Sequence, residues 1–518
     1  MAQTRRWRRV PACMVTILLG LALWPAGVGA REALPGVDDN WRRYESPHFE
    51  LFSRERNAES RDLLYHLELL HTVFIDSYGL QLRQPLPVTI YYFQRRRDFD
   101  AYAPASLKKG DGDTKLMGFY SASPERAVIV VPPLEEEQQA RQTIFHEYIH
   151  HLTRVSGENP PMWYTEGVAE LFSTLEVEKD GLIFGRPLPW HIERLQQGAL
   201  LPLGTLFAIQ HQPTAFEQPV RIGQFYAESW ALLHCWFFGN STVSREKIAP
   251  FLEYIRQESE NGDPARRAAL FEQVTGIDYT EMEKQLAHYV RSGRYRWVKL
   301  PSPPVRPAES YASRAVSRDE IRLRLAELHF RVNEDPGSRL LLLQEAEKAD
   351  CDPRVLGALG ADAWKRDDRR EAQERWARAL DRGETNPAVI FRLAQVEARG
   401  WFEYFNVDFR LPDDRAERLR DLLRRSIAAA PHQIEAYEIL AWVEATARTP
   451  VIANVNRVQA QFATLRQKDR TLLALALVRV RLHQPDNALK LLDGLPANVA
   501  PWVAQAADAI RAHIAATH

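Results

Sequence analysis

The spacing of apolar positions changes period several times along the chain. Residues 48–52 and 87–93, His-Phe-Glu-Leu-Phe and Pro-Val-Thr-Ile-Tyr-Tyr-Phe, are short and rich in β-branched and aromatic side chains, which predicts strands. Between them Leu63, Leu67, Leu70 and Phe74 recur at the interval that lines one face of a helix. Residues 118–121 and 127–131 predict a second strand pair, joined across Ser123-Pro124-Glu125, while Gly110-Asp111-Gly112-Asp113 is a flexible acidic turn. Phe145, Ile149 and Leu152 give the next segment an apolar side, and Glu135, Glu136 and Glu137 sit where its first helical turn begins, against the positive dipole end. Beyond Phe172 the period is helical, with segments at 190–197, 225–238, 248–257 and 279–290. A small mixed sheet packed on helices is expected, an α+β domain.

Residues 299–307 then interrupt every period with Pro301, Pro303, Pro304 and Pro307, a density that excludes a helix and favours an extended linker. Past it the pattern changes in kind. Leu359-Gly360, Ala372, Trp376 and Ala379 alternate small with large residues between Pro353 and Pro387, which stand 34 residues apart. Leu393-Ala394 continues the register; after an insertion at 401–412, Tyr437, Leu440 and Ala441, then Leu475-Ala476, Ala488 and Leu492, resume it. The segment resembles tetratricopeptide repeats, and a non-repeating helical bundle is the alternative; either offers a grooved binding surface rather than chemistry. The expected division is a leader at 1–30, an α+β domain at 31–298, a proline-rich linker at 299–317 and an all-α repeat domain at 318–518.

The leader is read from charge. Arg5, Arg6, Arg8 and Arg9 precede an apolar run at 12–24, and Val28-Gly29-Ala30 supplies small residues for cleavage, the layout of a secretory signal peptide cut after about Ala30. The run is short of the ~20 apolar residues a membrane span needs and is broken by Pro25, so an exported, periplasmic or secreted protein with no stable span is expected. Cys13 leaves with the leader; Cys235 and Cys351 are too few for a disulfide framework and are expected as buried thiols. With 518 residues, 45% of them hydrophobic, the chain has enough apolar material for two or three cores. A net charge of −1, with no cationic cluster past the leader, argues against nucleic acid as a partner.

Candidate chemistry lies at residues 143–152, Thr-Ile-Phe-His-Glu-Tyr-Ile-His-His-Leu. Its H-E-x-x-H pattern sets His146 and His150 one helical turn apart on one face, where their imidazoles can share a zinc ion, one per chain. Glu147 falls beside the ion, placed to take a proton from metal-bound water. His151 lies about 100° round the helix from His150 and is not expected as a ligand. Catalytic zinc takes a third protein ligand. After Pro160-Pro161 a new helix should begin, with Glu166 in its first turns as that ligand and Glu170 one turn later. Glu170 is expected to accept the N–H of a ligand histidine; an exposed helix glutamate fits the same position.

H-E-Y-I-H followed by W-Y-T-E-G-V-A-E resembles the gluzincin metallopeptidases, whose second motif is a helix bearing N/T-E-G-x-A. The resemblance implies zinc held by His146, His150 and Glu166 with Glu147 as general base. Residues 225–234, Phe-Tyr-Ala-Glu-Ser-Trp-Ala-Leu-Leu-His, resemble the helix whose tyrosine steadies the oxyanion in the aminopeptidase branch, which implies that role for Tyr226. A core tyrosine packed with Trp230 and Phe237 is the alternative. More narrowly, the run from Trp41 to about Arg291 is similar to a bacterial peptidase MA-like domain of unknown function. The family's edge strand pairs with extended substrate, and residues 118–121 are the counterpart, although an ordinary hairpin strand would look the same. Two departures matter. The spacer between His150 and Glu166 is short, and Met117-Gly118-Phe119-Tyr120 lacks the carboxylate with which aminopeptidases hold a free N-terminus. An endopeptidase acting on peptide or protein substrates is therefore expected, with a protein partner on the repeats. The competing class is a non-catalytic exported scaffold that keeps the zinc-peptidase fold and works through its repeats.

Overall fold

The computed structural model describes residues 34–54, 57–82, 86–105, 107, 116–133, 137–157, 160–209, 219–239, 243, 245–258, 262–399 and 405–517. The expected leader at 1–30, the acidic turn at 110–113 and the start of the insertion at 401 lie outside them.

The fold is α+β. Its strands are β1 (Arg42–Glu45), β2 (Phe49–Ser53), β3 (Val88–Tyr92), β4 (Phe119–Ala122), β5 (Ala127–Val131), β6 (Glu176–Glu178), β7 (Gly181–Phe184), β8 (Val298–Leu300) and β9 (Ala312–Ala315). The first ten helices are α1 (Asn57–Tyr78), α2 (Arg96–Tyr102), α3 (Glu137–Val155), α4 (Met162–Ser173), α5 (Pro189–Gln197), α6 (Leu203–Ala208), α7 (Pro219–Phe238), α8 (Arg245–Gln257), α9 (Pro264–Thr275) and α10 (Tyr279–Ser292). An all-helical half follows: α11 (Arg318–Asn333), α12 (Pro336–Ala346), α13 (Pro353–Lys365), α14 (Arg369–Asp381), α15 (Pro387–Arg399), α16 (Asp413–Ala429), α17 (Ile434–Thr446), α18 (Ile452–Gln461), α19 (Lys468–Arg481), α20 (Pro485–Asp493) and α21 (Pro501–Thr517).

Six strands form one sheet in the order β4-β5-β3-β2-β1-β9, parallel through β2, β3 and β5 and antiparallel elsewhere. Side chains alternate across it, as the two-residue strand period requires. Leu51, Ile90 and Ile129 face a core shared with α1, α3, α4 and α7, while Phe52, Tyr91 and Val130 face a second core with Phe99 of α2 and Ile321, Leu325 and Leu328 of α11. Both faces being covered, β5 is buried along its whole length. A smaller antiparallel sheet runs β6-β7-β8.

The proline-rich segment is not a free spacer. Lys299 and Leu300 pair with β7 at one end, and all of β9 pairs with β1 at the other. The prolines fall between these ends, so the residues that need an N–H for a ladder keep it. The two halves also meet through charge. Arg354 of α13, held by Glu327 of α11 at 2.8 Å, reaches across to Glu50 of β2 at 2.7 Å, and Arg331 of α11 reaches Glu125 at 2.6 Å. The α11–α21 helices pack mainly on their sequence neighbours around one core. Within it α13 approaches α14 across Gly360, where an added Cβ would lie 2.5 Å from the Trp376 ring. Cys235 and Cys351 are both buried free thiols.

Candidate metal centre

Helix α3 carries His146, Glu147 and His150 across the face it turns toward α4 and α7, and buries Phe145, Ile149 and Leu152 under the sheet. It stops at Gly157, whose φ of +73° is the left-handed turn that glycine adopts without strain. Pro161 then caps α4. That connection brings Glu166 back over the two histidines.

His146 Nε2 and His150 Nε2 lie 3.0 Å apart, and Glu166 Oε2 is 3.4 Å from the first and 3.3 Å from the second. Bonds of about 2.05 Å at a tetrahedral angle separate two ligand atoms by about 3.3 Å. The three donors therefore stand at the spacing of three corners around one small cation. Among the described residues they are the one group of three His, Cys, Asp or Glu side chains so arranged. Glu166 Oε2 is buried and, although within ion-pair range of both imidazoles, makes no well-formed hydrogen bond among the described residues. A buried acceptor of that kind is costly unless something positive meets it, and the donor set, two imidazoles and a carboxylate, suits zinc.

Electrostatics point the same way. Burial alone would lower His146, but the carboxylates of Glu170, Glu166 and Glu147 outweigh it and lift the imidazole to about 9. Burial would likewise raise Glu166, yet His150 and His146 hold its carboxyl down at about 2. The pocket thus favours a cation, a proton in the metal-free protein or a metal ion in its place. Glu147 is raised by burial, which the neighbouring imidazoles only partly offset. Its carboxylate has no hydrogen-bond partner among the described residues.

Glu170 stands behind His146, its Oε1 facing Nδ1 at 3.6 Å, so the hydrogen bond expected of it is not formed. Tyr226 of α7 borders the centre, its ring 6.4 Å from that of His146, and burial holds its hydroxyl well above the ordinary tyrosine range. Trp230 is buried beside it, whereas Phe237 is exposed. His151 turns away, its Nδ1 3.2 Å from the hydroxyl of Tyr120, and burial lowers it to about 3. Tyr120 belongs to β4, the edge strand on this side of the sheet; its neighbour Gly118 abuts α3, where a Cβ would meet Thr143 at 2.8 Å.

One member of the cluster has no mark in the sequence. His191 of α5 places Nε2 3.2 Å from Glu170 Oε2. A lone histidine distant in sequence carries no spacing signal, and only the docking of α5 on α7 brings it there. Compared with protein-family models, curated proteins and solved structures, the chain matches none.

Proposed function

We propose that the protein is an exported zinc-dependent endopeptidase of the gluzincin type, with one zinc per chain and tetratricopeptide-like repeats that bind a substrate or partner protein. The observation that carries this is the convergence of His146 Nε2, His150 Nε2 and Glu166 Oε2 within 3.0–3.4 Å of one another. Zinc bound there would polarise a scissile carbonyl and make water a stronger nucleophile at neutral pH. Glu147, half-buried and without a hydrogen-bond partner among the described residues, takes the proton of the attacking water on its carboxylate and returns it to the departing amine nitrogen. Its raised carboxyl suits a group that must both accept and release. Tyr226 keeps its phenolic proton and donates to the oxyanion. Glu170, 3.6 Å from His146 Nδ1, would orient that ring once the two close to hydrogen-bond length. Strand β4, the edge of the sheet among the described residues, offers backbone groups to an extended peptide, and the absence of a carboxylate at 117–120 leaves the chain free to run past in both directions. Export rests on the leader alone; among the described residues no helix is long and apolar enough to cross a membrane.

Purified protein should carry about one zinc per chain and hydrolyse members of a mixed peptide library. His150→Ala should lose the zinc, and equal zinc in both proteins would remove the assigned site. Glu147→Gln should keep it while hydrolysis falls at least ~100-fold. N-acetylated peptides should be cut internally within about tenfold of the rate of free ones, because no charged contact of ~1.5–3 kcal/mol is lost. Zinc without turnover of any peptide would instead favour an exported scaffold.

A further inference from the structure

We propose that His191 is a positioning residue of this centre: it anchors Glu170 so that the other carboxylate oxygen faces His146 Nδ1, and thereby sets the orientation in which His146 presents Nε2. The proposal rests on the metal reading above. Glu170 lies between two imidazoles, Oε2 at 3.2 Å from His191 Nε2 and Oε1 at 3.6 Å from His146 Nδ1. Among the described residues these are the partners its carboxylate has. His191 stands within ion-pair range of one oxygen without a well-formed hydrogen bond, and its ring limits how far the carboxylate can turn about its last bond; without it that rotation is free. An imidazole whose Nδ1 faces a fixed acceptor carries its proton there and leaves Nε2 free as a ligand.

The placement of His191 is not what packing alone selects. In Pro189-Trp190-His191 the tryptophan is 47% exposed and the histidine 5% exposed, the reverse of their hydrophobic order. Its ring lies 5.8 Å from that of Trp230, one helical turn beyond Tyr226 on α7. Helix α5 is locked to α7 where the Arg194 guanidinium closes on Gly223, a Cβ there meeting it at 2.7 Å. The helix that carries Tyr226 therefore also supports the wall that holds His191. Glu170 is the charged group nearest the His191 ring among the described residues, and because Nε2 is buried with no well-formed hydrogen bond there, the carboxylate is what offsets the cost of burying that nitrogen.

The test is zinc affinity, read by competition with a chromophoric chelator, in the full chain. His191→Phe should weaken zinc binding about 10- to 100-fold. His191→Gln, whose amide nitrogen reaches the position of Nε2, should stay within about threefold, whereas His191→Asn, with its nitrogen drawn back, should lose affinity as the phenylalanine does. In a Glu170→Gln background, His191→Phe should change affinity by less than about twofold, because its effect passes through that carboxylate. Wild-type affinity in His191→Phe, equal affinities in the Gln and Asn variants, or the same loss in both backgrounds would each overturn the proposal. The Gln and Asn pair decides it even if the phenylalanine variant does not fold. A wild-type protein that binds no zinc would instead reject the metal reading itself.

Discussion

Glu228, two residues beyond Tyr226, is fully buried; its Oε2 accepts from the backbone N–H of Leu201 at 2.7 Å and its Oε1 has no hydrogen-bond partner among the described residues. Burial pushes the carboxyl up to about 8, and the Leu201 N–H and Gln224 oppose it only in part. The folded protein therefore keeps this proton while the unfolded chain, near the ordinary value of about 4.3, releases it. Stability drawn from this site is full below pH ~4.3, declines as pH rises toward 8, and is flat beyond. Glu228→Gln keeps an acceptor for Leu201 and cannot ionise. Its melting temperature should exceed that of the wild type at pH 8 to 9 and converge with it toward pH 5; parallel curves would mean that the carboxyl is not held protonated. The same residue scale shows what sequence can carry. His146, Glu147 and His150 were legible because helical periodicity alone puts them together, and Glu166 and Glu170 because the next helix start was marked by two prolines. His191 and Glu228 were not, because their partners, Glu170 and the Leu201 N–H, come from other elements.

Between elements, the centre depends on how closely α4 and α7 approach. Gly167, next to Glu166, sits at their crossing, and a Cβ there would lie 2.6 Å from the Ser229 carbonyl oxygen and 2.8 Å from Leu233. The carbonyl belongs to a helix and cannot step aside as a flexible side chain would. Gly167→Ala should therefore push the helices apart, cost on the order of 1–3 kcal/mol in chemical denaturation, and weaken zinc binding by displacing the adjacent Glu166. An unchanged denaturation midpoint would show that the helices have room to spare. Nothing in the hydrophobic pattern marks this crossing, because the partner helix of Gly167 lies far along the chain from it. Central strands were readable because both faces are buried and the residues are apolar throughout, as in Ala127-Val128-Ile129-Val130-Val131. Strands β1 and β9 escaped for the converse reason: Arg42-Arg43-Tyr44-Glu45 buries only Tyr44, and Ala312-Ser313-Arg314-Ala315 is almost wholly exposed. Their pairing is a matter of backbone, on which hydrophobic pattern is silent.

At the scale of the whole molecule, proline density at 301–307 suggests two bodies on a tether, whereas the pairing of β9 and the docking of α11 make the start of the helical half a structural part of the sheet. Ile321, Leu325 and Leu328 are each at most 1% exposed against Phe52, Tyr91 and Phe93. At about 1.5–3 kcal/mol for each buried aliphatic side chain, these three supply roughly 5–9 kcal/mol, a sum comparable with the 5–15 kcal/mol that holds a typical domain folded. A chain ending at Ser310 also loses the Arg354 and Arg331 partners of Glu50 and Glu125, which leaves buried carboxylates underpaired. It should aggregate or melt without cooperativity and fail to hold zinc, although every proposed metal ligand precedes the cut. A chain ending at Gly383 keeps β9, α11, the Arg354 bridge and the α13–α14 pair closed over Gly360. Because the later helices pack mainly on their sequence neighbours, their removal exposes one flank rather than the sheet. This longer chain should be monomeric, melt cooperatively and bind about one zinc. Size-exclusion, thermal melting and metal content of the two chains decide the matter. A Ser310 chain that is monomeric, cooperative and zinc-loaded would mean that the sheet carries itself and that α11 only rests upon it.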